Sequence, residues 1–320
     1  MQQQGRDYQH YLQSLQTHIK DKLETSQKLY LEVTGNLIDQ SDIREIIPNF
    51  EMDTYKKTFS PFKYDMDILL CIKAQDVINN SEMGPDKKPF RDFLQLYLKK
   101  VENQFGIKPH IVINGIDIEN MYDIVFNFET AFQKLGYRVW EKYKIRAYTE
   151  DMPKVLSEDG FGNDDHIPTT KKLNLIIEMI PECWKLPTAI AQIYLDQEIG
   201  IASDYAKLAV LPNYDTAKTE PCNVMARAQY LRQTYLEDFD STLKQKDLYE
   251  RGVEQHTFIQ KAFKLLKKPV PEFMSDYVFG RINDAQCDEE ALQLYIEKLK
   301  ADSKNSEISE QLEQLLEERE

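Results

Sequence analysis

An apolar strand, a short turn and an amphipathic helix follow one another in the segment LNLIIEMIPECWKLPTAIAQIYLD, residues 173–196. In nucleotide-binding α/β proteins such a unit carries the phosphate loop, whose backbone N–H groups surround the anion. Glycine normally supplies the positive φ angles and the close backbone approach that this loop requires. The turn here consists of Ile180, Pro181, Glu182, Cys183 and Trp184, without glycine. The segment therefore predicts an α/β fold but argues against an ordinary nucleotide site.

The side chains of the turn also disfavour a phosphate ligand. Pro181 has no N–H to donate, Glu182 repels an anion, and Trp184 fills the space that a ligand needs. Only Lys185, directly after the turn, has a suitable charge. A helix N-terminus can hold an anion without glycine, so a phosphorylated or carboxylated ligand remains an alternative.

Strand-like and helix-like segments alternate along the first two thirds of the chain. Strands are predicted at 28–35, 66–73, 110–115, 173–180 and 203–212, with another starting near 137, and helices at 7–25, 41–47, 89–106, 118–135 and after Pro187. This alternation indicates a mostly parallel sheet with helices on both faces, of the P-loop-like or Rossmann-like kind. We expect an N-terminal helix (1–27), an α/β domain (28–220) and a helical segment (221–320) that ends in an acidic amphipathic helix.

Charge and hydropathy exclude several classes of partner. The 320 residues carry a net charge of −14, whereas a nucleic-acid surface needs clustered Lys and Arg. No apolar run reaches the ~20 residues that span a bilayer, and the N-terminus MQQQGRDYQHYLQ has no signal-peptide core. The sequence therefore predicts a cytoplasmic protein with no nucleic-acid or membrane partner.

The four cysteines lack the patterned spacing of a metal knuckle or a disulfide framework. Cys71 lies in an apolar strand and is interpreted as a core residue. Cys183 is favoured as a filler over a nucleophile, because neighbouring Glu182 should raise the pKa of its thiol.

The predicted strands should end at one crevice, since ligands of open parallel sheets bind beyond the carboxyl ends of the strands. Candidate residues in the loops that follow the strands are Thr34, Gly35, Asn36, Lys73, Asn114, Gly115 and Lys185. Lys73, Lys185 and Lys207 have the charge to counter an anion, although each is also compatible with an ordinary surface lysine.

The loop SEDGFGNDDHIPTTKK, residues 157–172, is the richest polar cluster of the chain. A carboxylate beside His166 can do acid–base work or hold a divalent ion. Adjacent aspartates before a proline also describe an ordinary acidic turn, which we favour, and no metal site is predicted. His10, His18, His110 and His256 have no Ser, Cys or Asp partner at a recognisable spacing, so a hydrolase triad is unsupported.

The C-terminal stretch NSEISEQLEQLLEERE places Ile308, Leu312, Leu315 and Leu316 on one helical stripe. We favour docking of this helix on its own chain over binding to a partner, because short helices are seldom stable alone in water.

Five segments resemble, in order and rough spacing, an uncharacterised bacterial family, the domain of unknown function numbered eighteen-forty-six. They are KLYLEVTGNLIDQSDIREIIPNF, DILLCIKAQDV, SEDGFGNDDHIPTTKK, SDYAKLAVLP and EPCNVMARA, and the resemblance extends from about residue 7 to about residue 290. It implies a P-loop-like or Rossmann-like fold. It also directs attention to residues within the matching segments: Gly160, Phe161, Gly162, Thr169, Thr170 and Asn223.

The chain departs from the family pattern at the expected site. Family members usually carry a PGxGSGK turn, in which Lys185 matches the lysine while Ile180, Glu182 and Trp184 stand at glycine positions. They also have a histidine where this chain has Glu220, and they continue into a further C-terminal domain. The resemblance thus implies a divergent, C-terminally shortened member without the Gly-rich loop.

Three functions fit these observations, and none comes with an identified catalytic residue or cofactor. The preferred one is a weakly catalytic or non-catalytic relative that acts by binding a protein partner, a paralogue or a second copy of itself. The alternative is an enzyme that acts on a phosphorylated or carboxylated metabolite through Lys185 and residues 157–170. The third is a structural subunit whose crevice is filled by Trp184.

Overall fold

Helices and strands alternate through most of the chain in a computed structural model that describes residues 8–35, 37–38, 51–84, 86–146, 148, 150–209, 217–236, 248–280, 289–302 and 306–318. The predicted helix at 41–47, candidate Asn36 and the end of the strand predicted at 203–212 lie outside these ranges. The helices are α1 (Tyr8–Thr25), α2 (Thr54–Phe59), α3 (Ala74–Asn79), α4 (Phe90–Phe105), α5 (Ile118–Lys134), α6 (Met152–Val155), α7 (Lys185–Glu198), α8 (Pro221–Leu236), α9 (Leu248–Leu265), α10 (Glu289–Asp302) and α11 (Ser306–Glu317). The strands are β1 (Lys28–Val33), β2 (Met66–Lys73), β3 (Glu82–Met83), β4 (Lys88–Pro89), β5 (His110–Ile116), β6 (Arg138–Tyr143), β7 (Leu173–Glu178), β8 (Ser203–Leu208) and β9 (Val278–Phe279).

Seven strands form one sheet in the order β6-β5-β2-β7-β1-β8-β9, and each strand is parallel to its neighbours. The predicted α/β fold is thereby confirmed. Every residue of β1 is buried, as expected for a strand covered on both faces, and its two charged residues, Lys28 and Glu32, form buried ion pairs. A small β3–β4 hairpin, which the sequence did not predict, precedes α4.

The strand order opens a crevice at the end of β7. The chain leaves β2 towards β5 at one side of the sheet, whereas it leaves β7 towards β8 at the other side. Because crossover connections are right-handed, the connection that follows β2 and the connection that follows β7 lie on opposite faces of the sheet. Two neighbouring strands whose connections run to opposite faces form the usual ligand crevice of an open sheet. The turn 179–184 lies at this crevice.

The last hundred residues contribute to both the sheet and a second core. Strand β9 adds an edge to the sheet beside β8, although this region was expected to be helical. Helices α8, α10 and α11 share a separate apolar cluster that includes Val224, Leu292 and Leu312. Leu312 and Leu315 of the terminal stripe are therefore buried within this chain and Leu316 is partly buried. Glu318 also accepts a hydrogen bond from Arg227 at 2.7 Å.

Candidate functional site

The turn after β7 adopts left-handed backbone angles without glycine. Glu182 has φ of 66° and Trp184 has φ of 62°. This turn therefore reaches positive φ without the glycine that normally supplies it. Left-handed conformation costs a non-glycine residue roughly 1–2 kcal/mol, so contacts of these side chains must offset the cost.

Two sets of contacts hold the turn in this conformation. The Glu182 carboxylate accepts a hydrogen bond from the Tyr230 hydroxyl at 3.1 Å and forms an ion pair with Arg251. The Trp184 ring stacks on Tyr148, with ring centroids 6.0 Å apart, and lies against Gly115, where an added Cβ would come within 3.7 Å of the indole. Helices α8 and α9 and the end of β5 thus fix the turn from outside.

A carboxylate of the protein itself occupies the anion-binding groups of the turn. One oxygen of Glu178, the last residue of β7, lies 2.7 Å from the Lys185 ammonium, and the other accepts the Cys183 backbone N–H at 3.2 Å. The Lys185 ammonium also donates to the Val33 carbonyl at 2.7 Å. A lysine and a loop N–H are the donors that a phosphate loop offers to its ligand, and here both are bonded to Glu178.

Neighbouring charges keep Lys185 protonated despite its burial. Burial lowers the pKa of this lysine, but the Glu178 and Glu32 carboxylates outweigh burial and raise it above its ordinary value. The pKa of Glu32 is lowered, since Lys207 and Lys185 overcome the effect of its own burial. The positive charges of Lys185 and Lys207 are therefore balanced by the carboxylates of Glu178 and Glu32, and neither lysine needs an external anion as its counter-charge.

The floor of the turn is braced by β5 and α7. Asn114 donates from its amide to the Cys183 carbonyl at 2.8 Å, and its amide oxygen accepts the Thr188 hydroxyl at 3.0 Å. These bonds attach the turn to β5, which β2 separates from β7 in the sheet, so a change in the conformation of the turn would break several contacts together.

Trp184 covers a small cavity of about 10 Å³. Its lining combines aromatic walls with polar groups: Asn114, Lys142, Tyr143, Ile145, Tyr148, Phe161, Asp164, Trp184, Pro187 and Thr188. A cavity of this size holds about one water molecule.

Asp164 and Lys142 form a buried ion pair at the edge of this cavity, with an N–O distance of 3.7 Å. Burial raises the pKa of Asp164 to about 6, although Lys142 acts in the opposite direction. Burial also lowers the pKa of Lys142. The pair is thus poorly solvated in its charged form.

We expect Asp164→Asn to gain stability relative to the wild type as the pH rises. A carboxyl whose pKa is raised in the folded state binds its proton more tightly there, so its contribution to stability falls as the pH rises from about 4 to about 6. Urea denaturation at several pH values measures the unfolding free energy of both proteins. The unfolding free energy of the variant minus that of the wild type should increase as the pH rises across this range. A difference that stays constant with pH would contradict the shifted titration.

Residues 161–166 cover the outer edge of β6. The Asp164 carboxylate accepts the Tyr143 N–H at 2.8 Å, the Asp165 carboxylate accepts the Glu141 N–H at 2.8 Å, and the Asp165 N–H donates to the Glu141 carbonyl at 3.0 Å. Strand β6 pairs with β5 on one side only, and an uncovered edge invites unwanted strand pairing. The two aspartates thus bond to backbone at the sheet edge, a role that sequence spacing alone could not reveal.

Gly160 is required by the space around it. An added Cβ would lie 2.2 Å from the Lys154 carbonyl oxygen and 2.3 Å from that of Val155. We expect Gly160→Ala to lower the unfolding free energy by about 2–3 kcal/mol, because backbone atoms must move. Gly162→Ala is the matched control, with its nearest contact at 3.1 Å, and should cost about 1 kcal/mol or less. Equal costs in urea denaturation would contradict this explanation.

His166 fastens the same loop to α7. Its Nε2 lies 2.8 Å from a carboxylate oxygen of Asp196, which is fully buried and also receives bonds from Lys28 at 3.1 Å and from the Tyr30 hydroxyl at 2.8 Å. The pKa of Asp196 is lowered, since these three donors overcome the effect of burial. Sequence analysis missed this cluster because its members come from three separate parts of the chain.

The remaining candidate residues fall into different places. Lys207 is buried beside Glu32 at 3.5 Å and therefore belongs to the same charge cluster as Lys185. Gly35 is exposed two residues after the end of β1, and Lys73 is half-buried at the end of β2. Thr169 lies beside Tyr30, near Asp196 rather than near Lys185.

Two further candidates have surroundings unlike those of the charge cluster. Thr170 is exposed. Asn223 is buried in the first turn of α8 and donates to the Ala217 carbonyl at 3.2 Å. The structure thus brings Lys185 and Lys207 together around Glu32, while Gly160, Phe161 and Gly162 belong to the loop that covers β6.

The two free cysteines among the described residues, Cys71 and Cys183, show no sign of a nucleophile. Burial and the Glu178 carboxylate raise the pKa of the Cys183 thiol well above its ordinary value, and burial raises that of Cys71 to about 12. Cys222 is disulfide-bonded, which the irregular spacing did not predict, because pairing depends on proximity in space.

Within the described ranges, no three His, Cys, Asp or Glu side chains are grouped so as to hold a metal ion. None of the helices in the same ranges combines the length and the hydrophobicity that crossing a bilayer requires.

Comparison with known proteins gives one family. A family model described as "Domain of unknown function DUF1846, N-terminal" matches residues 4–293. A UPF0371 protein of Corynebacterium efficiens is 26% identical over 293 residues, which cover 89% of this chain and 59% of the relative. UPF0371 proteins of Corynebacterium glutamicum and Clostridium botulinum are 27% and 22% identical, and each match covers 90% of this chain. The chain spans about three fifths of the length of these relatives.

Proposed function

The chain belongs to the DUF1846 family, and from this premise we propose that it is a divergent member that acts by binding and does not hydrolyse nucleoside triphosphates. The observation that carries the proposal is the position of Glu178. Its carboxylate bonds to both the Lys185 ammonium and the Cys183 N–H, the donors that a phosphate would need.

A triphosphate would have to displace this carboxylate at a high cost. Breaking the Glu178–Lys185 pair leaves a buried carboxylate without its partner, which costs about 3–5 kcal/mol. The negative charge of Glu178 and Glu182 would then oppose the incoming phosphates. The ligand would also have to move Trp184, whose ring stacks on Tyr148.

The external contacts of the turn support a binding role. Tyr230 and Arg251 hold Glu182 from α8 and α9, so the helical segment lies directly on the turn that a nucleotide would need to approach. The sheet is intact, while the groups that would donate hydrogen bonds to a phosphate are bonded within the protein. Such a protein is suited to bind a protein partner through its surface, and we take this partner to be a paralogue or another protein.

We expect Mg-ATP to leave the melting temperature of the protein unchanged. A ligand present at a hundred times its dissociation constant adds about 2.7 kcal/mol to the unfolding free energy, which is readily seen as a thermal shift. Thermal unfolding should be compared with and without Mg-ATP, with an unrelated ATP-binding protein as positive control. A saturable increase of several degrees would refute the proposal.

The alternative, an enzyme acting on a phosphorylated or carboxylated metabolite, needs Lys185 and residues 157–170 at the ligand. The bonded state of Lys185 and the edge-covering role of Asp164 and Asp165 weigh against it. The double variant Glu178→Gln/Lys185→Met separates the two functions, because it removes the anion site while avoiding an unpaired carboxylate at residue 178. A double variant that folds but has lost a turnover measured for the wild type would favour the enzymatic function.

A further inference from the structure

Helix α5 is apolar on two faces. Its inner face buries Val125, Phe128 and Phe132 against the body of the protein. Its outer face exposes Ile118 by 57%, Tyr122 by 52% and Phe126 by 52%. Because residues four apart lie above one another on a helix, these three side chains form one continuous row, which we call the α5 stripe.

The α5 stripe is ordered rather than a chance scatter of apolar residues. The rings of Tyr122 and Phe126 stack with centroids 6.1 Å apart and an interplanar angle of 18°. Exposed aromatic rows of this kind are typical of protein-binding surfaces, where rigid rings bury much area at a small entropic cost.

Charges around the α5 stripe restrict what can bind there. Between residues 118 and 133 the helix carries Glu119, Asp123 and Glu129 and no Lys or Arg, and Glu119 and Asp123 are exposed beside the stripe. A second copy of the chain would bring two acidic rims together, and an anionic membrane surface would be repelled in the same way. A cationic partner would be attracted by the same acidic residues.

We propose that the α5 stripe is the docking surface for an amphipathic helix of another protein, whose apolar row is flanked by Lys or Arg. The length of the stripe, two turns of helix with anchors at every fourth residue, matches the spacing with which amphipathic helices are recognised. The inference rests on the proposed binding role, to which it assigns a surface and a partner chemistry.

The probe for this proposal is a synthetic amphipathic helix of Leu and Lys, titrated into the full chain and into the variant Tyr122→Ser/Phe126→Ser. We expect the variant to bind at least about tenfold more weakly, since two aromatic anchors are lost. Leu294→Ser, which removes an equally exposed apolar side chain from α10, should bind like the wild type. Hydrogen exchange should show protection of residues 118–127 when the peptide is present.

Three results would overturn the proposal. Equal affinity of the wild type and the stripe variant would mean that the peptide is held by net charge alone. Equal binding of a Leu/Glu peptide would refute the charge argument. Self-association of the wild type that is lost in the stripe variant would assign the surface to a second copy instead. Mg-ATP is tested on the same proteins, because a nucleotide response would contradict the proposed function without touching the peptide result.

Discussion

Replacing Lys185 with methionine should lower the unfolding free energy by about 3–5 kcal/mol, the usual cost of breaking a buried ion pair by removing one partner. The loss leaves the Glu178 and Glu32 carboxylates without this ammonium and the Val33 carbonyl without its donor. Chemical denaturation measures the change, and Lys20→Met, at an exposed position of α1, is the control that should change little.

The double variant Glu178→Gln/Lys185→Met tests the reason for this loss. If the cost comes from an unpaired carboxylate, the double variant should be more stable than Lys185→Met alone, and the two substitutions should be strongly non-additive. If the Lys185→Met protein is as stable as the wild type, the lysine does not stabilise the fold. That result would contradict the structural role assigned to Lys185 and would favour a role in ligand binding.

Replacing Asp196 with alanine should have an effect of similar size, about 3–5 kcal/mol, because Lys28 would remain largely buried without its counter-charge. The hydroxyl of Tyr30 and the ring of His166 would lose their acceptor in the same step. Asp196→Asn keeps the shape and separates the loss of charge from the loss of volume.

The pH dependence of this effect has a defined sign. A carboxyl with a lowered folded-state pKa contributes stability above its unfolded pKa of about 4, and this contribution is lost as the pH falls through the folded value. The advantage of wild type over Asp196→Asn should therefore be full at neutral pH and shrink in acid. An advantage that grows in acid would contradict the assigned ion pair.

The sheet could be predicted because its strands carry their own signal. Residues 66–73 and 110–116 are short, mostly apolar segments bounded by polar ones, which is the pattern of a strand buried on both faces. The two-residue strand β9 carries no such signal, since its pairing with β8 depends on where the helical segment packs.

The geometry of the turn could not be predicted, since its cause lies elsewhere in the chain. Glycine is the local route to positive φ, but Glu182 and Trp184 reach it through contacts with Arg251, Tyr230 and Tyr148. The absence of glycine therefore does not determine the backbone angles of the turn. The sequence did not indicate that the Glu178 carboxylate bonds to Lys185 and to the Cys183 N–H, because these contacts depend on how the turn folds back on the end of β7.

The same limit applies to residues 157–170. Their composition suggested an acidic turn, yet nothing local to Asp164 and Asp165 indicates which N–H groups they accept. The partner is the free edge of β6, and only the strand order shows that β6 is an edge.

The most direct test is a crystal structure of the protein grown in the presence of Mg-ATP. We predict that the Glu178 carboxylate remains bonded to Lys185 and to the Cys183 N–H, with no nucleotide at the turn. A phosphate group found between Lys185 and the backbone of residues 180–184, with Glu178 turned away, would contradict the proposed loss of nucleotide binding.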